Sequence, residues 1–197
     1  MESYRTLEKA ASDEFTVKKS RFIGYAAPVQ TNEEAVEFIN SIKAKHRDAR
    51  HNVYAYCLRE GHIRRYSDDG EPQGTAGIPV LDVLLKENLT DCAVVATRYF
   101  GGVLLGANGL VRAYTQTAKI GIEKAGIITV ALCFTASVTC DYNFYGRLQT
   151  IICEHGGIVE DVDFSENVCL SFRIPSDSFE QLDAAVFDKS RGKIRCK

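Results

Sequence analysis

The fold is decided by the stretch CAVVATRYFGGVLLGANGLVRAY, residues 92–114. Its first part, Cys92 to Thr97, is a short continuous apolar run, which is typical of a central strand buried on both faces. Downstream, apolar residues recur at helical spacing from Leu110 to Ala125 and stop at Gly126, which predicts a long helix ended by glycine. The glycine-rich segment between them must therefore carry the chain from a strand into a helix.

A second glycine-dense block, SDDGEPQGTAGIP at residues 67–79, precedes another helix-like apolar stretch. This block and residues 98–114 together hold seven of the 15 glycines. Glycine has no Cβ, so it concentrates where the backbone turns sharply or approaches another group closely. A loop that leads into a helix N-terminus leaves backbone N–H groups free to face an anion. We expect the two blocks to meet on one face of the first domain and to build the site.

Composition limits the classes of function. The chain has 197 residues, of which 45% are hydrophobic and 25% charged, as in ordinary globular proteins. The net charge of −2 argues against broad nucleic-acid or membrane binding, so any such surface must be local. The sequence has no 18-residue apolar run and no signal-peptide core at its N-terminus, which predicts a cytoplasmic protein with no membrane partner.

The seven cysteines are scattered along the chain and never occur in a C-x-x-C spacing. This pattern favours free thiols that behave as small hydrophobic residues over a zinc or redox motif. No cofactor is therefore expected.

The chain is predicted to form an α+β protein of two domains, residues 1–130 and 131–197. In the first, Thr31 and Glu34 form a capping box before a helix, and β-forming residues predict a hairpin of residues 51–58 with 63–66. In the second, the order β-α-β-β-α-β, with Lys193 to Cys196 as the last strand, predicts a ferredoxin-like domain.

Four segments of the glycine blocks closely resemble motifs of the IMPACT family, including its bacterial YigZ-type members: SDDGEP at 67–72, GTAG at 74–77, TRYFGG at 97–102 and GLVRAY at 109–114. The resemblance covers roughly residues 15–125. It implies an amino-terminal α/β sandwich of the ribosomal-protein domain-2-like fold. It also implies a connection with translation, because eukaryotic relatives regulate a translation-control kinase pathway by binding its activator.

The carboxy-terminal region resembles the small ferredoxin-like domain of bacterial members. The chain departs from the usual family pattern at Gln73, Leu104 and Asn108, where a small residue, a lysine and a glycine are common. The missing lysine weakens a phosphate-contact interpretation of the second block.

The charged residues of the blocks allow two interpretations. Asp68, Asp69 and Glu71 could bind Mg²⁺ or supply a base, or they could be ordinary turn and helix-start residues. Arg98 and Arg112 could hold an external anion or pair internally with these acids. Arg112 in the first turn of a helix would oppose the helix dipole, which argues for an anionic partner.

The remaining candidates are equally open. Tyr99 and Phe100, beside Gly101 and Gly102, could stack on a base or fill a domain interface. His51 could act at the site or be a hydrogen-bonded structural residue. Neither a Walker A motif nor a nucleophile elbow is present, so no catalytic residue or metal ligand is assigned. The predicted binding residues are His51, Asp68, Asp69, Glu71, Thr75, Arg98, Tyr99, Phe100, Gly101, Gly102 and Arg112.

The preferred hypothesis is a non-enzymatic binding or regulatory protein that contacts RNA, the ribosome or a translation-regulatory protein through the glycine-rich loops, with a small anion as a further candidate ligand. The alternative is a metal-assisted hydrolase or transferase that acts on a small anionic substrate. A third hypothesis makes both blocks purely structural, with the glycines allowing close packing of strand and helix.

Overall fold

The computed structural model describes residues 3–197 and divides into two compact units, residues 4–130 and residues 131–197 together with Ser3. The elements of the first are β1 (Tyr4–Leu7), β2 (Ala11–Val17), β3 (Ser20–Pro28), α1 (Asn32–Lys45), β4 (His51–Cys57), a 3-10 turn (Glu60–His62), β5 (Arg64–Ser67), α2 (Gly77–Lys86), β6 (Cys92–Tyr99), α3 (Ala107–Ala125) and β7 (Ile127–Val130). Those of the second are β8 (Cys133–Cys140), α4 (Tyr142–Glu154), β9 (Ile158–Phe164), β10 (Val168–Pro175) and α5 (Phe179–Lys189).

The first unit is built on a five-stranded antiparallel sheet in the order β2-β3-β6-β4-β5, with a separate β1–β7 pair. Its central strand is β6, as the apolar run predicts. Val94 and Ala96 belong to the core formed with α2 and α3, while Ala93 and Val95 belong to the core formed with α1. Strand β6 is therefore buried on both faces between two helical layers.

Helix α3 lies very close to strand β3 because both carry glycine at their contact. A Cβ on Gly24 would lie 2.1 Å from the carbonyl oxygen of Thr117, and Gly121 faces the same strand backbone. The helix ends as predicted at Gly126, which has a φ of +75°. The predicted hairpin of β4 and β5 also forms.

The capping box of α1 differs slightly from the prediction. Thr31 accepts from the Glu34 N–H, but the Glu34 carboxylate accepts from the N–H of Gln30, one residue before the cap.

The second unit has a three-stranded antiparallel sheet in the order β8-β10-β9, and α4 and α5 contribute to its core. The predicted last strand, Lys193 to Cys196, is wrong. The N–H groups of Ile194 and Cys196 donate to the side chains of Ser190 and Asp183 instead of a sheet partner. Only Lys197 reaches β8, where it exchanges two backbone hydrogen bonds of 2.8 Å with Ser137. In residues 3–197 there is no helix of sufficient length and hydrophobicity to cross a membrane.

Candidate functional site: a cleft at the start of helix α3

Asp68 closes the first glycine block onto helix α2. Its carboxylate accepts hydrogen bonds from the backbone N–H groups of Gly74, Ala76 and Gly77, at 2.8–3.1 Å. These include donors at the helix start that have no partner within the helix. Asp68 therefore has the structural role of a cap, one of the two interpretations open from the sequence.

Asp69 fixes the same loop to strand β4 and helix α1. Its carboxylate accepts from the Asn52 N–H at 2.7 Å and from the Lys43 ammonium at 2.8 Å. Its carbonyl oxygen lies 2.8 Å from Nδ1 of His51, so Nδ1 is the donor. A neutral His51 consequently presents an unprotonated Nε2.

Glu71 joins three elements in the interior. Its Oε1 accepts from Nη1 of Arg98 on β6 at 2.5 Å and from the hydroxyl of Tyr114 on α3 at 2.8 Å. The Nε2 of His51 lies 3.7 Å from the same oxygen. Arg98 and Glu71 are only 5% and 8% exposed, and Tyr114 is fully buried. The two glycine blocks therefore do meet, through an internal ion pair.

Tyr114 belongs to this cluster although sequence reasoning placed it only on the apolar face of the helix. Burial, reinforced by the charge of Glu71, raises the pKa of the Tyr114 phenol well above its ordinary value. The phenol is therefore a permanent hydrogen-bond donor. The available clue was that a tyrosine on a buried stripe needs a partner for its hydroxyl.

A cleft of about 500 Å³ opens beside this cluster. Its polar lining includes Arg50, His51, Arg98 and the Glu71 that pairs with Arg98, and its apolar lining includes Phe100 and Leu110. Phe100 is 47% exposed, and the guanidinium carbon of Arg98 lies 5.5 Å from the centre of its ring. The cleft thus combines basic groups with an accessible aromatic face.

The N-terminus of α3 also opens into the cleft, which Gly106 and Ala107 line. Gly106, the N-cap, has a φ of +76° and no side chain to accept a hydrogen bond, and the first turn holds no acidic residue. The N–H groups of Ala107, Asn108 and Gly109 find no acceptor among residues 3–197, because the first helical bond runs from the Leu110 N–H to Gly106. The Nε of Arg98 is likewise buried without a partner in the described chain.

Three further predicted residues have local structural roles. The Thr75 hydroxyl donates to the Pro72 carbonyl at 2.6 Å and closes the turn before α2. Gly101 packs on the β2–β3 turn so closely that a Cβ would lie 2.0 Å from the Lys19 backbone. Gly102 has open space around it but a φ of +81°.

Tyr99 lies on the opposite side of the sheet from the cleft. Its hydroxyl contacts Nδ1 of His46 at 2.9 Å and donates to Asp48 at 3.0 Å, and its ring packs on the core beneath α1. Side chains alternate along a strand, so Arg98 and Tyr99 must face opposite layers. Tyr99 is not brought to the cleft with Phe100.

Internal pairing of Arg112 with the acidic residues, one of the two interpretations open from the sequence, does not occur among the described residues. Arg112 is the sixth residue of α3, is exposed, and makes no ion pair with any described residue. Leu110, Ala113 and Tyr114 face the core, so helical geometry turns Arg112 away from Glu71. Arg112 instead lines a separate depression with Phe15, Val17 and Lys18.

Within residues 3–197, no three histidine, cysteine or acidic side chains are grouped as metal ligands would be. The acidic groups of the first glycine block accept hydrogen bonds from backbone N–H groups, a lysine, an arginine and a tyrosine. Their arrangement is that of a stabilised loop.

The fold and the site define a class: two-unit α+β proteins with a glycine-framed cleft at a helix start in the first unit. The family model described as "Impact N-terminal domain" matches residues 18–122, and the model described as "Domain of unknown function (DUF1949)" matches residues 138–193. The chain belongs to the IMPACT family.

Bacterial relatives match most of the chain. It is 41% identical to the IMPACT family member YvyE of Bacillus subtilis, over 85% of this chain and 78% of that protein. It is 31% identical to the IMPACT family member YigZ of Escherichia coli, over 91% of this chain and 89% of that protein. A crystal structure described as that of a hypothetical protein superposes with a TM-score of 0.63 at 30% identity, over 100% of this chain and 97% of the other.

Proposed function

We propose that this protein is a non-enzymatic binding protein that acts in translation in the cytoplasm, and that the cleft at the start of α3 binds single-stranded RNA. The connection with translation rests on membership of the IMPACT family. The observation that carries the choice of ligand is the convergence of unpaired donors: Arg98, whose Nε has no acceptor in the described chain, and the uncapped N-terminus of α3 border the same cleft.

Unpaired donors of this kind favour an anionic ligand. Free N–H groups and the helix dipole together make a helix N-terminus attractive to phosphate. Arg98 already donates to Glu71 through Nη1, which fixes the guanidinium plane and leaves its Nε without an acceptor in the described chain. The exposed Arg50 adds a charge at the rim that no described residue compensates, whereas the charge of Arg98 is balanced by Glu71. A phosphate group fits this combination.

The apolar half of the cleft favours a nucleotide over a bare anion. Phe100 presents an accessible ring, and Leu110 lines the cleft near it. Bases stack on aromatic side chains without regard to sequence, a common mode of single-strand binding. His51 lines the cleft with Nδ1 held by the Asp69 carbonyl, so its other ring nitrogen offers a ribose hydroxyl a hydrogen-bond partner. RNA would then be preferred to DNA.

The same contacts support binding over catalysis. The carboxylates of Asp68 and Asp69 accept hydrogen bonds that hold the loop in place, and Glu71 is paired with Arg98. The raised pKa of Tyr114 makes its phenol unsuitable as a base near neutral pH. A metal-assisted hydrolase or transferase would need at least one of these carboxylates released from its present partners.

Filter binding with a single-stranded RNA oligonucleotide tests the proposal through Arg50→Gln. Arg50 is exposed and has no ion-pair partner in the described chain, so its replacement should leave the fold intact. One phosphate contact contributes a slope of about 0.7 to the salt dependence on single strands, which corresponds to a factor of about 5 at 0.1 M salt. We expect Arg50→Gln to weaken RNA binding by about that factor and to reduce the slope accordingly.

Arg47→Gln is the matched control, because Arg47 is another exposed arginine, three residues away, that does not line the cleft. Its affinity for RNA should equal that of the wild type. Absence of any salt-sensitive association with RNA or ribosomes would contradict the proposal and leave a regulatory protein as the partner. Equal losses in Arg50→Gln and Arg47→Gln would place binding elsewhere.

A further inference from the structure

A second depression lies on the other side of the first turn of α3. Its volume is about 410 Å³, and Phe15, Val17, Leu105 and Ala113 give it an apolar floor. Its polar lining consists of Lys18, Arg112 and Gln116. Of the described residues that line it, none is acidic.

The two depressions are adjacent, because Leu105 lines both of them. The N-cap Gly106 and two residues of α3, Ala107 and Leu110, line the first cleft. Four other residues of α3 line the second depression: Gly109, Arg112, Ala113 and Gln116. The latter set repeats at intervals of three and four residues, which places it along one stripe of the helix. The uncapped start of α3 therefore lies between the first cleft and the second depression.

The charges of the second depression are uncompensated. Lys18 and Arg112 are exposed and form no ion pair with any residue from 3 to 197. Gly101 packs directly on the backbone of Lys19, so the β2–β3 turn that carries Lys18 is held against the second glycine block. Lys18 and Arg112 thus border one apolar surface, which Gly109 of the helix start also lines.

We propose that the RNA site extends from the first cleft around the helix start into this second depression, so that the ligand is an extended single strand with phosphates in both, and not a mononucleotide. This inference rests on the proposed function. From Gly106 to Arg112 the helix axis rises about 9 Å, more than one nucleotide step. A mononucleotide has a single phosphate, which can lie in only one of the two depressions. Lys18 and Arg112 should therefore strengthen the binding of a long strand but not the binding of a mononucleotide.

The test compares the wild type with the double variant Lys18→Gln/Arg112→Gln on uridine monophosphate and on a decameric oligouridylate. Two lost phosphate contacts correspond to a factor of about 25 at 0.1 M salt and a reduction of about 1.4 in the salt slope. We expect these losses on the decamer and an unchanged affinity for the monophosphate. Arg47→Gln/Lys119→Gln, a matched pair of exposed residues outside both depressions, should bind both ligands as the wild type does.

The outcomes separate this inference from the proposed function. If Arg50→Gln weakens decamer binding but Lys18→Gln/Arg112→Gln does not, the RNA site is confined to the first cleft and the extension is wrong. If the double variant loses affinity for the monophosphate as strongly as for the decamer, the extension is also wrong. If the wild type binds neither ligand, the proposed function fails and the extension fails with it. Circular dichroism of each variant verifies that the fold is retained.

Discussion

The carboxylate of Glu71 accepts hydrogen bonds from β6 and α3 and lies near the histidine that begins β4. Because Glu71 and Arg98 are both buried, each compensates the charge of the other. Replacing one partner leaves the remaining charge uncompensated in the interior, which costs about 3–5 kcal/mol. Glu71 therefore links three of the segments that line the cleft.

We predict that Glu71→Gln lowers the free energy of unfolding of the first unit by about 3–5 kcal/mol, measured by urea unfolding with circular dichroism. The amide retains an acceptor for Tyr114 but leaves the Arg98 charge unpaired. Glu123→Gln, an exposed position on α3, is the control. A change below about 0.5 kcal/mol in Glu71→Gln would mean that the pair contributes nothing.

On the other face of the sheet, His46 links two tyrosines. The Tyr99 hydroxyl donates to Asp48, so its oxygen accepts from Nδ1 of His46, and Nε2 then accepts from the Tyr25 hydroxyl at 2.6 Å. This arrangement requires a neutral ring. Burial, with a smaller contribution from Lys45, lowers the pKa of His46 below its usual value.

A lowered pKa makes the first unit less stable in acid. Below pH of about 6.5 the unfolded chain takes up a proton that folded His46 resists, so the free energy of unfolding must fall as the pH falls through that range. We predict that His46→Gln flattens this part of the stability profile. His62→Asn, at an exposed position with positive φ, should leave it unchanged. An identical profile in His46→Gln and the wild type would disprove the assignment.

At the scale of single residues, the interpretation of the sequence identified Arg98 and Glu71 as candidates, but it did not show that Tyr114 joins them or that Arg112 does not. Arg98 and Glu71 were both candidates, because charged residues at the edges of glycine loops need partners. Arg112 does not join the pair because Leu110, Ala113 and Tyr114 of the same helix face the core, which turns Arg112 to another face. That apolar stripe is visible in the sequence, so the orientation of Arg112 could have been predicted from it.

Among the elements, helix α2 depends on a side chain from outside it. Its N-cap, Ala76, offers no side-chain acceptor, and Asp68 supplies one from eight residues upstream. We predict that Asp68→Ala destabilises the first unit by about 1–2 kcal/mol in urea unfolding, with Asp68→Asn losing less because an amide oxygen remains. Asp82→Ala, at an exposed site within α2, is the comparison. If it costs as much as Asp68→Ala, the capping assignment is wrong.

Periodicity predicted most of these elements correctly. The doubly buried β6 and the long α3 followed from an unbroken apolar run and a helical stripe, which are strong local patterns. The expected strand at Lys193 to Cys196 failed because side chains of Ser190 and Asp183 compete for its N–H groups. Such competition depends on how the end of α5 places its side chains, which the alternation of apolar and polar residues does not contain.

At the scale of the whole molecule, the two units have separate cores, and the cleft belongs entirely to the first. The sequence predicted that the two glycine blocks meet, but not that a cleft opens beside them. Its walls come from β4, the loop after β5, β6 and the start of α3, so its existence depends on the topology of the sheet.

The most direct test of RNA binding at the cleft is an NMR titration of the full chain, labelled with ¹⁵N, with a single-stranded oligouridylate. We predict that the largest shifts occur at the amides of Ala107, Asn108 and Gly109 and at the Nε–H of Arg98, because these donors have no acceptor in the described structure. Shifts confined to residues 131–197, or unchanged resonances for these four groups in the presence of bound RNA, would contradict it.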